Sequence, residues 1–89
     1  MPTRKVKVAS RVGLHARPAS LFVQAVTATG LPVTIAKGDG DPVDARSILL
    51  VRGLAVGNND EVTLSAEGDG ADAALDQLVE LLEVDHDAP

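Results

Sequence analysis

The sequence contains no cysteine, no tryptophan and no tyrosine, and only one phenylalanine and one methionine in 89 residues. Without cysteine there are no disulfide staples, no thiolate nucleophile and no cysteine zinc site, and the redox compartment is left unread. Without aromatic platforms, and with a formal net charge of −5, the chain is not expected to bind nucleic acid. No stretch approaches the ~20 apolar residues of a membrane span, so no membrane insertion is expected. The opening MPTRKVKVAS carries basic residues but lacks the apolar run of a signal peptide. These absences suggest a soluble, cytoplasmic protein; the length makes residues 1–89 one domain, and a monomer is expected. A chain this short buries only about 60–65% of its unfolded surface, so its core must be assembled from small aliphatic side chains.

What is present has two periods. RKVKVA (4–9) alternates charged and apolar residues and reads as a half-buried strand with Val6 and Val8 on one face. Over 16–28 the period lengthens, and Ala19, Phe22, Val23 and Val26 form one stripe of an amphipathic helix. Gly30 and Pro32 end it. PVTIAK (32–37) alternates again through Val33 and Ile35, GDGDP (38–42) is a turn, and Pro42–Ala45 leaves room for a short edge strand. SILLVRG (47–53) reads as a short helix with Ser47 as N-cap and Gly53 as its stop. A turn, GNND (57–60), precedes a third alternating strand, EVTLSA (61–66). Residues 68–84 then form a second long helix with the stripe Ala71, Leu75, Leu78 and Leu82, and acidic residues near its start suit the helix dipole. DHDAP (85–89) reads as a frayed tail.

The order β-α-β-β-α-β-α with alternating strands predicts an α+β fold, an antiparallel sheet with its helices on one face. Chain direction allows sheet order 1-4-2-3 or the ferredoxin-like 4-1-3-2, and the pattern does not choose between them.

One short run carries chemistry. In GLHARPAS (13–20), His15 stands just ahead of a helix whose first three residues are Ala16, Arg17 and Pro18. Proline is tolerated there because its missing N–H would have no intrahelical partner anyway. The remaining amides and the positive end of the dipole favour an anion at that position. Arg17 adds a permanent cation with a planar fork suited to phosphate oxygens. Neutral imidazole is a nucleophile near pH 7. The residues therefore fit a phosphoryl acceptor and donor, with the Ala16 and Arg17 amides as phosphate-binding backbone. Spacing alone leaves open a histidine that merely caps the helix beside a solvated arginine.

GLHARPAS closely resembles the active-site signature of the histidine-containing phosphocarrier (HPr) family of the bacterial sugar phosphotransferase system. The likeness continues through QAV (24–26), ARSILLVRGLAV (45–56), EVTLSAEG (61–68) and the closing leucine-rich helix, nearly the whole chain. The resemblance implies an open-faced β-sandwich, a four-stranded antiparallel sheet of order 1-4-2-3 covered on one face by three helices. It implies that His15 is phosphorylated on Nδ1 by enzyme I, which draws on phosphoenolpyruvate, and passes the group to the A domains of sugar permeases, the enzymes II. Arg17 would steady the phosphoryl group. The protein would be a covalent intermediate without a cofactor rather than an enzyme. Ser47 falls at the family's second motif serine, which in many Firmicutes relatives is modified by an ATP-dependent kinase in a form that regulates carbon catabolism, so a serine kinase and transcription regulators join the implied partners. The alternative is an HPr-like regulatory or nitrogen-branch paralogue acting mainly by protein binding.

Other residues have plainer readings. Ile48, Leu49, Leu50, Val51 and Leu54 are too apolar for one side of a seven-residue helix, so the expectation divides them. Leu50, Val51 and Leu54 go to the core, and Ile48 and Leu49 are candidates for partner docking with Arg52. By resemblance, Leu49 takes a position where relatives often carry Met or Phe, and Arg52 departs from a frequent Met. Asp39, Asp41 and Asp44 do not form an EF-hand loop, because Asp44 and Leu50 stand where glycine and glutamate are required. His86, between Asp85 and Asp87, has neither a helix start nor an arginine beside it, and no metal site is expected there.

Overall fold

Strand alternation and helix stripes resolve into one sheet and one helical layer. The computed structural model describes residues 2–9, 13 and 16–83. The elements run β1 (Thr3–Lys7), α1 (Ala16–Thr29), β2 (Val33–Lys37), β3 (Val43–Asp44), α2 (Ile48–Gly53), β4 (Glu61–Ala66) and α3 (Ala71–Leu82). The sheet is antiparallel throughout, with order β1-β4-β2-β3. This is the 1-4-2-3 order implied by resemblance, and it removes the 4-1-3-2 alternative.

Register sorts the two faces. Val6 pairs with Val62, and Ile35 with Leu64, so the inward residues meet across neighbouring strands. Lys5 pairs with Thr63, and Thr34 with Ser65, on the other face. Val33, Ile35, Val62 and Leu64 are fully buried, together with Phe22 and Val26 of α1 and Leu75 and Leu78 of α3. Each such side chain contributes roughly 1.5–3 kcal/mol by leaving water. α3 lies on β1 and β4, α1 packs against α3 and α2, and α2 reaches β3.

The ends of elements depart from the sequence reading for local reasons. β1 leaves the ladder at Lys7, but Val8 N still donates to Asp60 O (3.0 Å) and Ala9 N to Leu82 O (2.9 Å). The last long helix begins at Ala71 rather than 68, because Gly68 and Gly70 sit at positive φ (111° and 82°) and cannot continue a right-handed helix. It ends at Leu82 with Glu83 as C-cap, and the tail 85–89 lies outside the described residues. Gly30, at φ 70°, closes α1 as expected. In β3, Pro42 stays outside the strand, and Ala45 N extends the pairing to Val33 O (2.9 Å).

Candidate functional site

The start of α1 is built by a buried glycine, a buried proline and an exposed arginine. Gly13 is buried with φ 68°. The helix begins at Ala16, Pro18 is buried in its first turn, and Arg17 points to solvent. No acidic residue stands in that first turn, so nothing on the helix itself answers the positive end of its dipole. The first amides of an α-helix have no intrahelical partner, and those of Ala16 and Arg17 are of this kind. His15 lies outside the described residues.

α2 packs against α1. Ser47 is its N-cap, half-buried and extended (φ −99°, ψ 112°), with its hydroxyl accepting from Leu50 N at 3.3 Å. The capping expectation therefore holds. Ahead of it, the Asp44 carboxylate accepts from Arg46 Nε (3.2 Å) and from the Arg46 backbone N–H (2.9 Å). These bonds, the side-chain one first, hold the Asp44 carboxyl below its usual range. Arg52, exposed in the last turn, suits the negative end of the helix.

The apolar run on α2 divides differently from expectation. Val51 is fully buried and Leu54 packs against the core, but Leu50 is 47% exposed and joins Leu49 (79%) and Ile48 (36%) at the surface. A six-residue helix offers the core a single stripe. Here that stripe runs from Val51 to Leu54, and all three first-turn residues are left outside. The exposed patch is thus larger than the sequence reading had it.

The segment that follows α2 abuts the chain leading into α1. A methyl group on Gly13 would stand 2.6 Å from Gly57 Cα and closer still to Val56 O. Gly13 thus lies against the segment that follows α2, and α1 and α2 pack together. Sequence reasoning missed the residues that shape this segment. Ala55 adopts φ 56°, its carbonyl accepts from Lys37 Nζ (3.1 Å), and Asp60 accepts from Gly57 N (2.8 Å). Gly57 first, then the Lys37 ammonium at 3.5 Å, hold the Asp60 carboxyl below its ordinary range. The glycine of GLH was a usable signal for close backbone approach, whereas the alanine at positive φ had none.

On the other face, which carries no helix, a concavity of about 390 Å³ lies between the Gly38–Pro42 turn and the sheet, lined by Lys5, Thr34, Ala36, Thr63 and Ser65 among others. It brings together one ammonium, one carboxylate and small hydroxyls. No three His, Asp or Glu side chains stand close enough to share a metal ion among the described residues.

The profile of the PTS-HPr family, described as PTS HPr component phosphorylation site, matches residues 2–84. The chain belongs to the HPr phosphocarrier family. It is 54% identical to phosphocarrier protein HPr of Streptomyces coelicolor over 92% of this chain and 88% of that one. It is 44% identical to the HPr-like protein Crh of Bacillus subtilis over 88% and 91%. Among solved structures, HPr of Thermoanaerobacter tengcongensis superposes with TM-score 0.87 at 38% identity, covering 93% and 92% of the two chains. HPr of Bacillus anthracis gives 0.86 at 37%, covering 91% and 95%. The family's sheet order and helical layer are those described above. No helix of the described residues is long and apolar enough to cross a membrane.

Proposed function

We propose that this member of the family carries a phosphoryl group on His15, taking it from enzyme I charged by phosphoenolpyruvate and passing it to the A domains of sugar permeases. The lone pair on neutral Nδ1 attacks phosphorus, and a P–N bond forms as the bond to the donor breaks. The reverse exchange delivers the group to the acceptor. Arg17 and the Ala16 and Arg17 amides hold the phosphoryl oxygens. A phosphoryl group on nitrogen keeps its transfer potential, so the carrier needs positioning and modest electrostatic support.

The observation that carries this reading is GLHARPAS at the start of a fourteen-residue helix without an acid in its first turn, in a chain of this family. The exposed Ile48, Leu49 and Leu50, on the helix that packs against α1 and carries Arg52, supply an apolar docking surface suited to small, transient contacts. Ser47 is the candidate regulatory phosphosite, for a serine kinase and transcription regulators. Its hydroxyl already serves as a cap, so modification would exchange one helix-start acceptor for a stronger one.

Incubation with phosphoenolpyruvate and enzyme I, read by intact mass, tests the central step. The wild type should gain one phosphoryl group that survives alkali and not acid, and His15→Ala should gain none while remaining folded. Unchanged labelling of the variant would defeat the proposal. The likeness to Crh, the Bacillus subtilis catabolite repression HPr, favours a second reading, a regulatory paralogue that works mainly by binding, and a wild type left unmodified by a competent enzyme I would select it.

A further inference from the structure

The segment Ala55–Gly57 is held more firmly than a connection between a helix and a turn requires. Ala55 is an L-residue in the left-handed region (φ 56°), a strained conformation that persists only when its surroundings enforce it. The enforcing contacts are identifiable. Ala55 N donates to Arg52 O (3.1 Å), and Lys37, at the end of β2, donates to Ala55 O (3.1 Å). Val56 is buried in the core. Gly57 N is tied to Asp60 Oδ2 (2.8 Å), which Lys37 also faces at 3.5 Å. Beyond the turn, Asn59 N donates to Val8 O (2.8 Å) and Val8 N to Asp60 O (3.0 Å), which fastens the far end to the chain leaving β1.

Onto this strap sits Gly13. Its φ of 68° suits glycine, and a Cβ there would collide with the Val56 carbonyl and the Gly57 backbone. Backbone atoms cannot move aside as a side-chain tip can. Two residues later in the chain comes His15. We propose that Gly13 is a positioning residue for phosphoryl transfer: by lacking a side chain it seats the chain ahead of α1 against the pinned strap, and so sets the start of α1, with Arg17, relative to α2. The inference rests on the reading of His15 as the phosphoryl site.

The same helix provides the control. Gly30, at the other end of α1, has nearly the same φ (70°), and a Cβ there meets nothing within 4 Å. Gly30→Ala therefore imposes the left-handed strain without displacing any backbone. Steady-state transfer from phosphorylated enzyme I should separate the two effects. Both variants should melt at lower temperature. Gly30→Ala should keep the wild-type kcat, whereas Gly13→Ala should lose on the order of tenfold to a hundredfold in kcat, since a displacement near 1 Å is enough for that. Equal rates for wild type and Gly13→Ala, or equal slowing of both glycine variants, would overturn the inference alone. Should Gly13→Ala fail to fold, Lys37→Met, which releases the strap from β2, decides. A several-fold loss of kcat at unchanged KM supports the inference, and a wild-type kcat overturns it. A wild type that takes up no phosphoryl group overturns the reading of His15, and this inference with it.

Discussion

The two long helices lie on the same face of the same sheet, yet their N-termini are chemically opposite. α3 carries its own anion. Asp72 stands in its first turn, and Arg4 of β1 holds it together with Asp76, at 3.0 Å and 3.3 Å. Those bonds, Asp72 first, push the Arg4 guanidinium further up from its ordinary value. α1 has no acid in its first turn and an exposed cation, Arg17, instead. Both helices bury their stripes equally well, with Phe22 and Val26 on one and Leu75 and Leu78 on the other. Core packing therefore does not distinguish them. The difference lies in charge: the α3 start carries a carboxylate of its own, the first turn of α1 carries none, and the proposed phosphoryl site uses that contrast.

The comparison breaks most readily by giving α1 what α3 has. Arg17→Asp places a carboxylate in the first turn and removes the cation, and phosphoryl uptake should fall on the order of a hundredfold. Arg17→Ala should fall less, and if the two variants transfer equally fast the dipole argument fails. The packing half of the comparison is tested by stability. Leu75→Ala in α3 should cost about 2–5 kcal/mol in denaturant unfolding, with a cavity left in a closed core. Leu49→Ala on exposed α2 should stay within about 0.5 kcal/mol, and its effect should appear in KM for partner proteins instead. Ser47→Ala should cost about 1 kcal/mol through loss of the cap.

The acid response of Asp60 is subtler. Its carboxyl sits below the ordinary 3.8 because the folded state bonds the charged form, so it stabilises the fold above that value and stops doing so as pH falls through its depressed folded value. The stability gap between wild type and Asp60→Asn should therefore be full near neutral pH and close in acid, and a gap independent of pH would contradict the assignment. The smallest effect belongs to Arg4→Ala. Its partners Asp72 and Asp76 are largely exposed (73% and 68%), and the loss should shrink further in high salt.

Much of this was legible in sequence wherever one element reports on itself. The alternation of Val33 and Ile35, the stripe of Leu75 and Leu78, and the run GLHARPAS each stand within a few residues. Sheet order was not legible from the pattern, because both candidate orders place β4 beside β1, and only the pairing of β4 with β2, rather than of β1 with β3, separates them while burying the same valines. The side chosen by Leu50 was not legible either, since a helix of two turns has no period long enough to show its inner face. Lys37 and Asp60 meet from distant strand ends, and an alanine at positive φ gives no compositional sign. The strap beside Gly13 was therefore visible only in three dimensions.

The most direct test of the contrast between the two helix starts is the amide spectrum of the protein before and after phosphorylation. The account predicts a phosphorus attached to the His15 imidazole, with the largest amide shifts at Ala16 and Arg17 and none of comparable size at Ala71 and Asp72. Phosphorylation that left the α1 amides where they were, or that shifted the α3 start as strongly, would contradict it.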